Sequence, residues 1–195
     1  MNRILAQTAA VHAREAYTRP NVWGGNGQAV VDPERGIVSI AGTNGLRDAM
    51  QDLNRVPHDI GQGAKVHAGF WEHYEQLRVP LFDAMDKSGA LYEGQGHSLG
   101  AAVFTLAIYR IPSMFAGSTV HLFGCPKVGN SNFAQIFNRI CKDAKITVWN
   151  VQGIGDTFCH LPAIGDWAHV GTVVKIGKAY LRADHPIERY IEDLS

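Results

Sequence analysis

The sequence predicts an α/β fold in which a mostly parallel central sheet is covered by helices on both faces. Short apolar segments alternate with helical segments along most of the chain, which is typical of strands joined by crossover helices. A length of 195 residues is enough for one domain with a sizeable core. Since no repeat, low-complexity tract or linker divides the chain, residues 1–195 are expected to form a single domain.

The first half of the chain is predicted to begin with an amphipathic helix that ends near Tyr17. Asp32-Pro33-Glu34-Arg35 is typical of a hairpin turn between two strands. Pro80 is expected to bend or break the helix that contains it. After the first helix, the predicted elements of this half are strands at 29–31 and 36–40, and helices at 46–53 and 70–85.

The second half continues the alternation of strands and helices. Gly94 weakens the strand that precedes it, and Pro112 helps to end the helix that follows. Residues 153–168 form a polar, proline-bearing loop, and Pro186 lies at the start of the last helix. The predicted elements are strands at 91–93, 118–123, 146–151 and 170–176, and helices at 99–108, 132–141 and 186–194.

Charge and hydropathy exclude several classes of function. Lys and Arg together number 18, as do Asp and Glu, so a net charge of zero argues against nucleic acid as a partner and against anionic membranes. No apolar run approaches the roughly 20 residues that span a bilayer. Residues 1–17 lack the apolar core of a signal peptide, so a cytoplasmic location is the default expectation.

The cysteines fit two interpretations. Cys125, Cys141 and Cys159 include no C-x-x-C pair and are odd in number. They are typical of reduced, partly buried thiols in a cytosolic protein. One disulfide with a free thiol is the alternative if the protein is exported.

The most informative motif is Gly96-His97-Ser98-Leu99-Gly100, a G-x-S-x-G sequence between a predicted strand and a predicted helix. This context is typical of a nucleophile elbow, in which a serine sits on a strained turn with glycines on both sides. One alternative is a glycine-rich turn whose serine caps the helix. The other alternative is a dinucleotide-binding turn. Such a turn needs an acidic residue about 20 residues further on, and residues 94–142 contain no Asp or Glu.

An elbow serine needs a histidine base and a carboxylate that orients the base, in the chain order Ser, acid, His. Asp156 follows a predicted strand and is the candidate acid, although Asp also favours turns of the kind Gly155-Asp156-Thr157 would form. Asp166 is the second candidate. His185, in a late loop, is favoured as the base over His169, while His160 lies too close to Asp156.

An oxyanion hole requires two preorganised donors. The backbone N–H of Leu99, directly after the serine, is one candidate. Thr43, in the loop after an earlier strand, is the other, with a simple turn threonine as its alternative interpretation. No H-E-x-x-H spacing indicates zinc, and this chemistry requires no metal or organic cofactor.

Several stretches together resemble the class 3 lipase family, the fungal triacylglycerol lipase type of α/β-hydrolase. They are, in chain order, IAGTNGLRDAMQDLN, KVHAGFWEHYEQL, GQGHSLGAA, LFGCPKVGNSNFA, GDTFCHLP and ADHPIERYI. The resemblance implies a compact α/β-hydrolase fold without a large cap domain. It also implies Ser98, Asp156 and His185 as the triad, with Thr43 and Leu99 as the oxyanion hole.

The chain departs from the family pattern at a few positions. Ala41 stands where the family usually has Arg, which removes a structural ion pair near the oxyanion loop. Phe158 and Cys159 replace the usual Val and Pro of the acid loop.

The expected function is carboxylic ester hydrolysis through an acyl-serine intermediate. The alternatives are a thioesterase or acyltransferase that uses the same acyl-enzyme, and a catalytically silent interaction module. The helix at 46–53 falls where the family keeps a lid, but its spacing fits a permanently packed helix equally well. Because its apolar residues are few, we expect at most transient contact with lipid interfaces and a preference for short or medium acyl chains.

Overall fold

The structure is a computed structural model that describes residues 1–42, 57–86, 93–177 and 185–195. Short 3₁₀ helices occur at Pro112–Phe115 and Thr157–His160. The described α-helices are α1 (Arg3–Thr18), α2 (Ala68–Asp86), α3 (Leu99–Arg110), α4 (Ser131–Asp143) and α5 (Ile187–Leu194).

The described strands are β1 (Val22–Gly24), β2 (Gly27–Asp32), β3 (Ile37–Ile40), β4 (His58–Asp59), β5 (Lys65–Val66), β6 (Glu93–His97), β7 (Thr119–Phe123), β8 (Thr147–Gly153) and β9 (Thr172–Ile176). Seven of them form one sheet in the order β1-β2-β3-β6-β7-β8-β9, and β4 and β5 form a separate hairpin. Within the sheet, the pairs β1/β2 and β2/β3 are antiparallel, and the pairs β3/β6, β6/β7, β7/β8 and β8/β9 are parallel. The predicted mostly parallel sheet is confirmed.

Helices cover both faces of this sheet. Successive side chains of a strand point to opposite faces, and β7 shows the result. Val120 and Leu122 pack with α2, α3 and α4, whereas Phe123 packs with α1 and α5. The molecule therefore has two apolar layers, and all parallel strands end at the same edge.

The helix α2 is not broken at Pro80, contrary to one of the two predictions for this residue. It runs without interruption from Ala68 to Asp86. Leu77 and Leu81, on either side of the proline, are both fully buried. Their packing stabilises the helix on both sides of Pro80, which has no N–H to donate to the helix.

The strand before Ser98 lies later than predicted, at Glu93–His97, and runs through Gly94 and Gly96. A Cβ at Gly94 would lie 1.9 Å from the ring of Phe104, so only glycine lets α3 pack on this strand. Residues 91 and 92 lie outside the described part of the chain.

The first and last helices pack against each other. The Arg3 guanidinium donates to the carbonyl oxygens of Asp193, at 2.5 Å, and Leu194, at 3.3 Å. This pairing of α1 with α5 places Tyr17 and Tyr190 beneath the strand edge that carries Ser98.

Candidate active site

Ser98 occupies a strained turn between β6 and α3. Its φ of 60° and ψ of −129° lie in a region that costs a non-glycine residue about 1–3 kcal/mol. Glycines are required on both sides, because a Cβ at Gly96 would lie 2.7 Å from the Gly100 carbonyl oxygen and one at Gly100 would lie 2.2 Å from that of Ile40. The serine side chain makes no capping hydrogen bond to α3. The turn thus has the geometry of a nucleophile elbow rather than of a helix cap.

Asp156 and His185 form a buried pair. His185 Nδ1 lies 2.7 Å from Asp156 Oδ2, and the two residues are 7% and 2% exposed. The other carboxylate oxygen, Oδ1, accepts a hydrogen bond of 2.9 Å from the Phe158 N–H, which starts the 3₁₀ helix. One carboxylate oxygen therefore accepts a hydrogen bond within the turn, and the other is hydrogen-bonded to the histidine.

Tyr190 completes the surroundings of this carboxylate. It lies in the stretch ADHPIERYI, but the resemblance implies no role for it. Its hydroxyl donates to Asp156 Oδ2 at 2.5 Å and accepts from the Gly153 N–H at 3.2 Å. Burial alone raises the pKa of Asp156, but the hydrogen bonds from His185, Tyr190 and Phe158 bring it below its ordinary value. The carboxyl group is therefore ionised at neutral pH, as an orienting acid must be.

The ring of His185 lies at the carboxyl edge of the sheet, next to Gly124, the residue that follows β7. The Ser98 N–H donates to the Phe123 carbonyl at 2.9 Å. A Cβ on the next residue, Gly124, would lie 2.8 Å from His185 Cε1 and 3.2 Å from Asp156 Oδ2. His185 Nε2 is buried and has no hydrogen-bond partner among the described residues, so the Ser98 hydroxyl is not hydrogen-bonded to it in this structure.

The residues that replace the family pattern in the acid loop pack against this pair. The Phe158 ring lies 4.5 Å from the His185 ring, centroid to centroid. Cys159 Sγ lies 3.8 Å from the Tyr190 hydroxyl. These substitutions fill the space around the Asp156–His185 pair and leave its hydrogen bond intact.

The competing candidates lie elsewhere. Asp166 is exposed and accepts hydrogen bonds from the N–H and the hydroxyl of Ser131. His160 is exposed on the 3₁₀ helix after Asp156. Both ring nitrogens of His169 face the Gln152 amide, at 3.2 and 3.3 Å, and burial lowers its pKa to about 4. None of the three is hydrogen-bonded to the Asp156–His185 pair.

The candidate oxyanion hole is described in part. Leu99 is the first residue of α3, so its N–H has no acceptor within the helix. The loop after β3 crosses directly over the serine, because a Cβ at Gly42 would lie 2.8 Å from Ser98 Cβ. Thr43 and the predicted helix at 46–53 lie outside the described residues.

The described residues offer no obvious metal site. Among them, no three His, Cys, Asp or Glu side chains are grouped to hold a metal ion. The cysteines are free, buried thiols, and burial raises the pKa of Cys125 and Cys141 to about 12 and that of Cys159 further.

A parallel sheet whose strand-to-helix turn carries a strained serine at the carboxyl edge defines an α/β-hydrolase fold. Solved fungal lipases share it. Lipase II from Rhizopus niveus matches with a TM-score of 0.69 and 23% identity, covering 88% of this chain and 77% of that one. The lipase from Rhizopus microsporus var. chinensis matches with a TM-score of 0.69 and 22% identity, covering 97% and 83%.

The chain belongs to the class 3 lipase family, whose model matches residues 37–165. A secreted mono- and diacylglycerol lipase of Malassezia globosa is 34% identical over 133 residues, which are 60% of this chain and 43% of that protein. A lipase of Rhizopus niveus is 34% identical over 105 residues, covering 48% and 27%. The chain thus spans less than half the length of these relatives.

The cytoplasmic default is wrong. Relatives from Malassezia globosa are named as secreted lipases, which conflicts with it. The described helices include none with the length and apolar character needed to cross a membrane.

Proposed function

We propose that the chain is a serine carboxylic ester hydrolase, a lipase or esterase, that works through an acyl-Ser98 intermediate. The observation that carries the proposal is the buried 2.7 Å bond between His185 Nδ1 and Asp156 Oδ2. With Nδ1 donating its proton to the carboxylate, Nε2 of the neutral ring is free to act as a base at the sheet edge that carries Ser98.

In this mechanism His185 Nε2 takes the hydroxyl proton of Ser98 while the serine oxygen attacks the ester carbonyl carbon. The imidazolium then gives that proton to the leaving alcohol, and the acyl group remains on Ser98. His185 next removes a proton from water, and the water oxygen attacks the acyl carbon. The imidazolium returns this proton to the Ser98 oxygen as its bond to the acyl group breaks, which releases the carboxylic acid and restores the hydroxyl. Asp156 stays ionised throughout and stabilises the imidazolium, in keeping with its lowered pKa.

The negative charge of each tetrahedral intermediate would be stabilised by the N–H groups of Leu99 and Thr43. Leu99 is supported by its position at the start of α3, and Thr43 by the path of Gly42 over Ser98. Losing one such donor typically costs about 3–4 kcal/mol of transition-state stabilisation.

We propose small ester lipids as the substrate class, in keeping with the names of the Malassezia globosa relatives, which are mono- and diacylglycerol lipases. Within this class we expect short or medium acyl chains to be preferred. The composition of residues 46–53 supports this expectation, because few of them are large and apolar.

Fluorophosphonate labelling of the purified chain tests the mechanism. We expect labelling at Ser98, none in Ser98→Ala, and a loss of about 10⁴- to 10⁶-fold in kcat for Ser98→Ala and His185→Ala. His169→Ala is the matched control and should keep its activity. Absence of labelling, or a loss confined to His169→Ala, would refute the proposal.

A panel of p-nitrophenyl esters of rising chain length tests the substrate preference. Dissolved butyrate esters should be cleaved faster than palmitate emulsions. The reverse order would show that the preference for short chains is wrong.

A further inference from the structure

His97, the residue before the serine, has both ring nitrogens hydrogen-bonded inside the protein. Its Nε2 lies 2.7 Å from the carbonyl oxygen of His185, and its Nδ1 lies 2.7 Å from the hydroxyl of Tyr17. A carbonyl oxygen can only accept, so Nε2 carries the proton and donates it to this bond. In the neutral ring Nδ1 is then an acceptor, and Tyr17 must be its donor.

The Tyr17 hydroxyl has a second partner in the loop that crosses Ser98. The Gly42 N–H donates to Tyr17 Oη at 2.8 Å. The hydrogen bonds therefore run in one direction, from Gly42 through Tyr17 and His97 to the carbonyl of His185. This chain joins the oxyanion loop, α1, the elbow strand and the segment that carries the candidate base.

The surroundings of His97 and Tyr17 fix the proton positions in this series of hydrogen bonds. His97 is 4% exposed, and its ring lies 4.8 Å from the ring of His185 and 5.8 Å from that of Tyr190. Burial and the neighbouring His185 lower the pKa of His97 to about 3. Burial also raises the pKa of Tyr17 above its ordinary value. Both groups are neutral in the ordinary working range of pH, so the order of donors and acceptors does not change.

We propose that Tyr17 and His97 are positioning residues, which hold the oxyanion loop and the backbone of His185 in register with Ser98. The inference rests on the proposed function. Because the Gly42 N–H donates to Tyr17, it is not available to a substrate oxygen, and the backbone that leads to residue 43 is held against α1. Donors that act on a developing charge must be placed closely, and a displacement of about 1 Å can lower the rate about 100-fold.

The test is Tyr17→Phe, which keeps the ring and removes the hydroxyl that bonds both Gly42 and His97. We expect kcat per fluorophosphonate-titrated Ser98 to fall about 10- to 100-fold, with KM within about twofold of the wild type. Tyr74→Phe is the matched control, since Tyr74 is also a buried tyrosine, 1% exposed, but lies on α2. It should keep the wild-type kcat. A purely structural role would instead lower the titratable fraction and leave kcat per titrated site unchanged.

Two substitutions at His97 distinguish its hydrogen bond to Tyr17 from its hydrogen bond to the His185 carbonyl. His97→Asn can keep an acceptor near the position of Nδ1 for Tyr17, whereas His97→Gln can keep a donor near the position of Nε2 for the His185 carbonyl. Because Tyr17 and His97 act as one unit, the kcat loss of Tyr17→Phe/His97→Gln should be smaller than the product of the single losses. Multiplicative losses would overturn the inference, as would a Tyr17→Phe enzyme that behaves like Tyr74→Phe.

The two proposals fail in different ways. A wild-type chain that is neither labelled at Ser98 nor active on esters refutes the proposed function. A wild-type chain that is labelled and active, with unchanged kcat in Tyr17→Phe, refutes only the positioning role.

Discussion

Substitution of Gly124 tests the candidate site, because a side chain at this position would occupy space next to the Asp156–His185 pair. Its φ of 58° lies in the left-handed region, which costs an L-residue roughly 1–2 kcal/mol. In Gly124→Ala the new Cβ would lie 2.8 Å from His185 Cε1, 3.1 Å from Tyr190 Oη and 3.2 Å from Asp156 Oδ2. The histidine must move by several tenths of an ångström or more, so we expect kcat to fall about 100-fold.

Gly117→Ala is the matched control for this substitution. Gly117 has a φ of 78°, but among the described residues no atom lies within 4 Å of the position that an alanine Cβ would take there. Gly117→Ala should lose about 1–2 kcal/mol of stability, or about 2–8 °C in Tm, which a thermal melt measures. Gly124→Ala should lose at least as much, because its Cβ also meets His185, Tyr190 and Asp156. Only Gly124→Ala should lose activity in steady-state ester hydrolysis. Equal activities in the two variants would show that the ring of His185 takes no part in the reaction.

Three further predictions concern stability and the cysteines. Tyr190→Phe removes a buried hydrogen bond to the Asp156 carboxylate, so the free energy of unfolding should fall by about 2 kcal/mol and Tm by about 4–8 °C; an unchanged melt would contradict this. Burial lowers the pKa values of His97, His121 and His169 to about 3, 4 and 4, so below pH 6.5 the unfolded chain binds more protons than the folded one. Chemical denaturation should therefore give a lower free energy of unfolding at pH 5 than at pH 7, with a smaller difference in His121→Gln. The three cysteines are buried, free thiols, so Ellman's reagent should react with them only after unfolding, and dithiothreitol should leave Tm unchanged.

The parts of the site that depend on local sequence are predictable. The strand-to-helix turn at Ser98 follows from two glycines that flank a serine between apolar segments. The structure adds the reason for those glycines, which is the close passage of α3 against β6 and the carbonyl of Ile40. The position of Asp156 after a parallel strand predicts that it lies at the same edge of the sheet as Ser98, where the structure has it.

The parts that depend on tertiary packing are not predictable from spacing. Tyr17 and Tyr190 reach the site only because α1 and α5 pack together on one face of the sheet, and no local pattern distinguishes either tyrosine from a core residue. The helix that contains Pro80 is continuous for the same reason, since the burial of Leu77 and Leu81 outweighs the tendency of proline to break a helix.

The hydrogen-bond chain from Gly42 to His185 bears on how the molecule assembles. Tyr17 is 80 residues from His97 in sequence, and His97 is 88 residues from His185. Contacts of such long sequence separation form late, because the loops between them lose entropy before the contacts stabilise them. During refolding, helical circular dichroism should therefore recover before esterase turnover does.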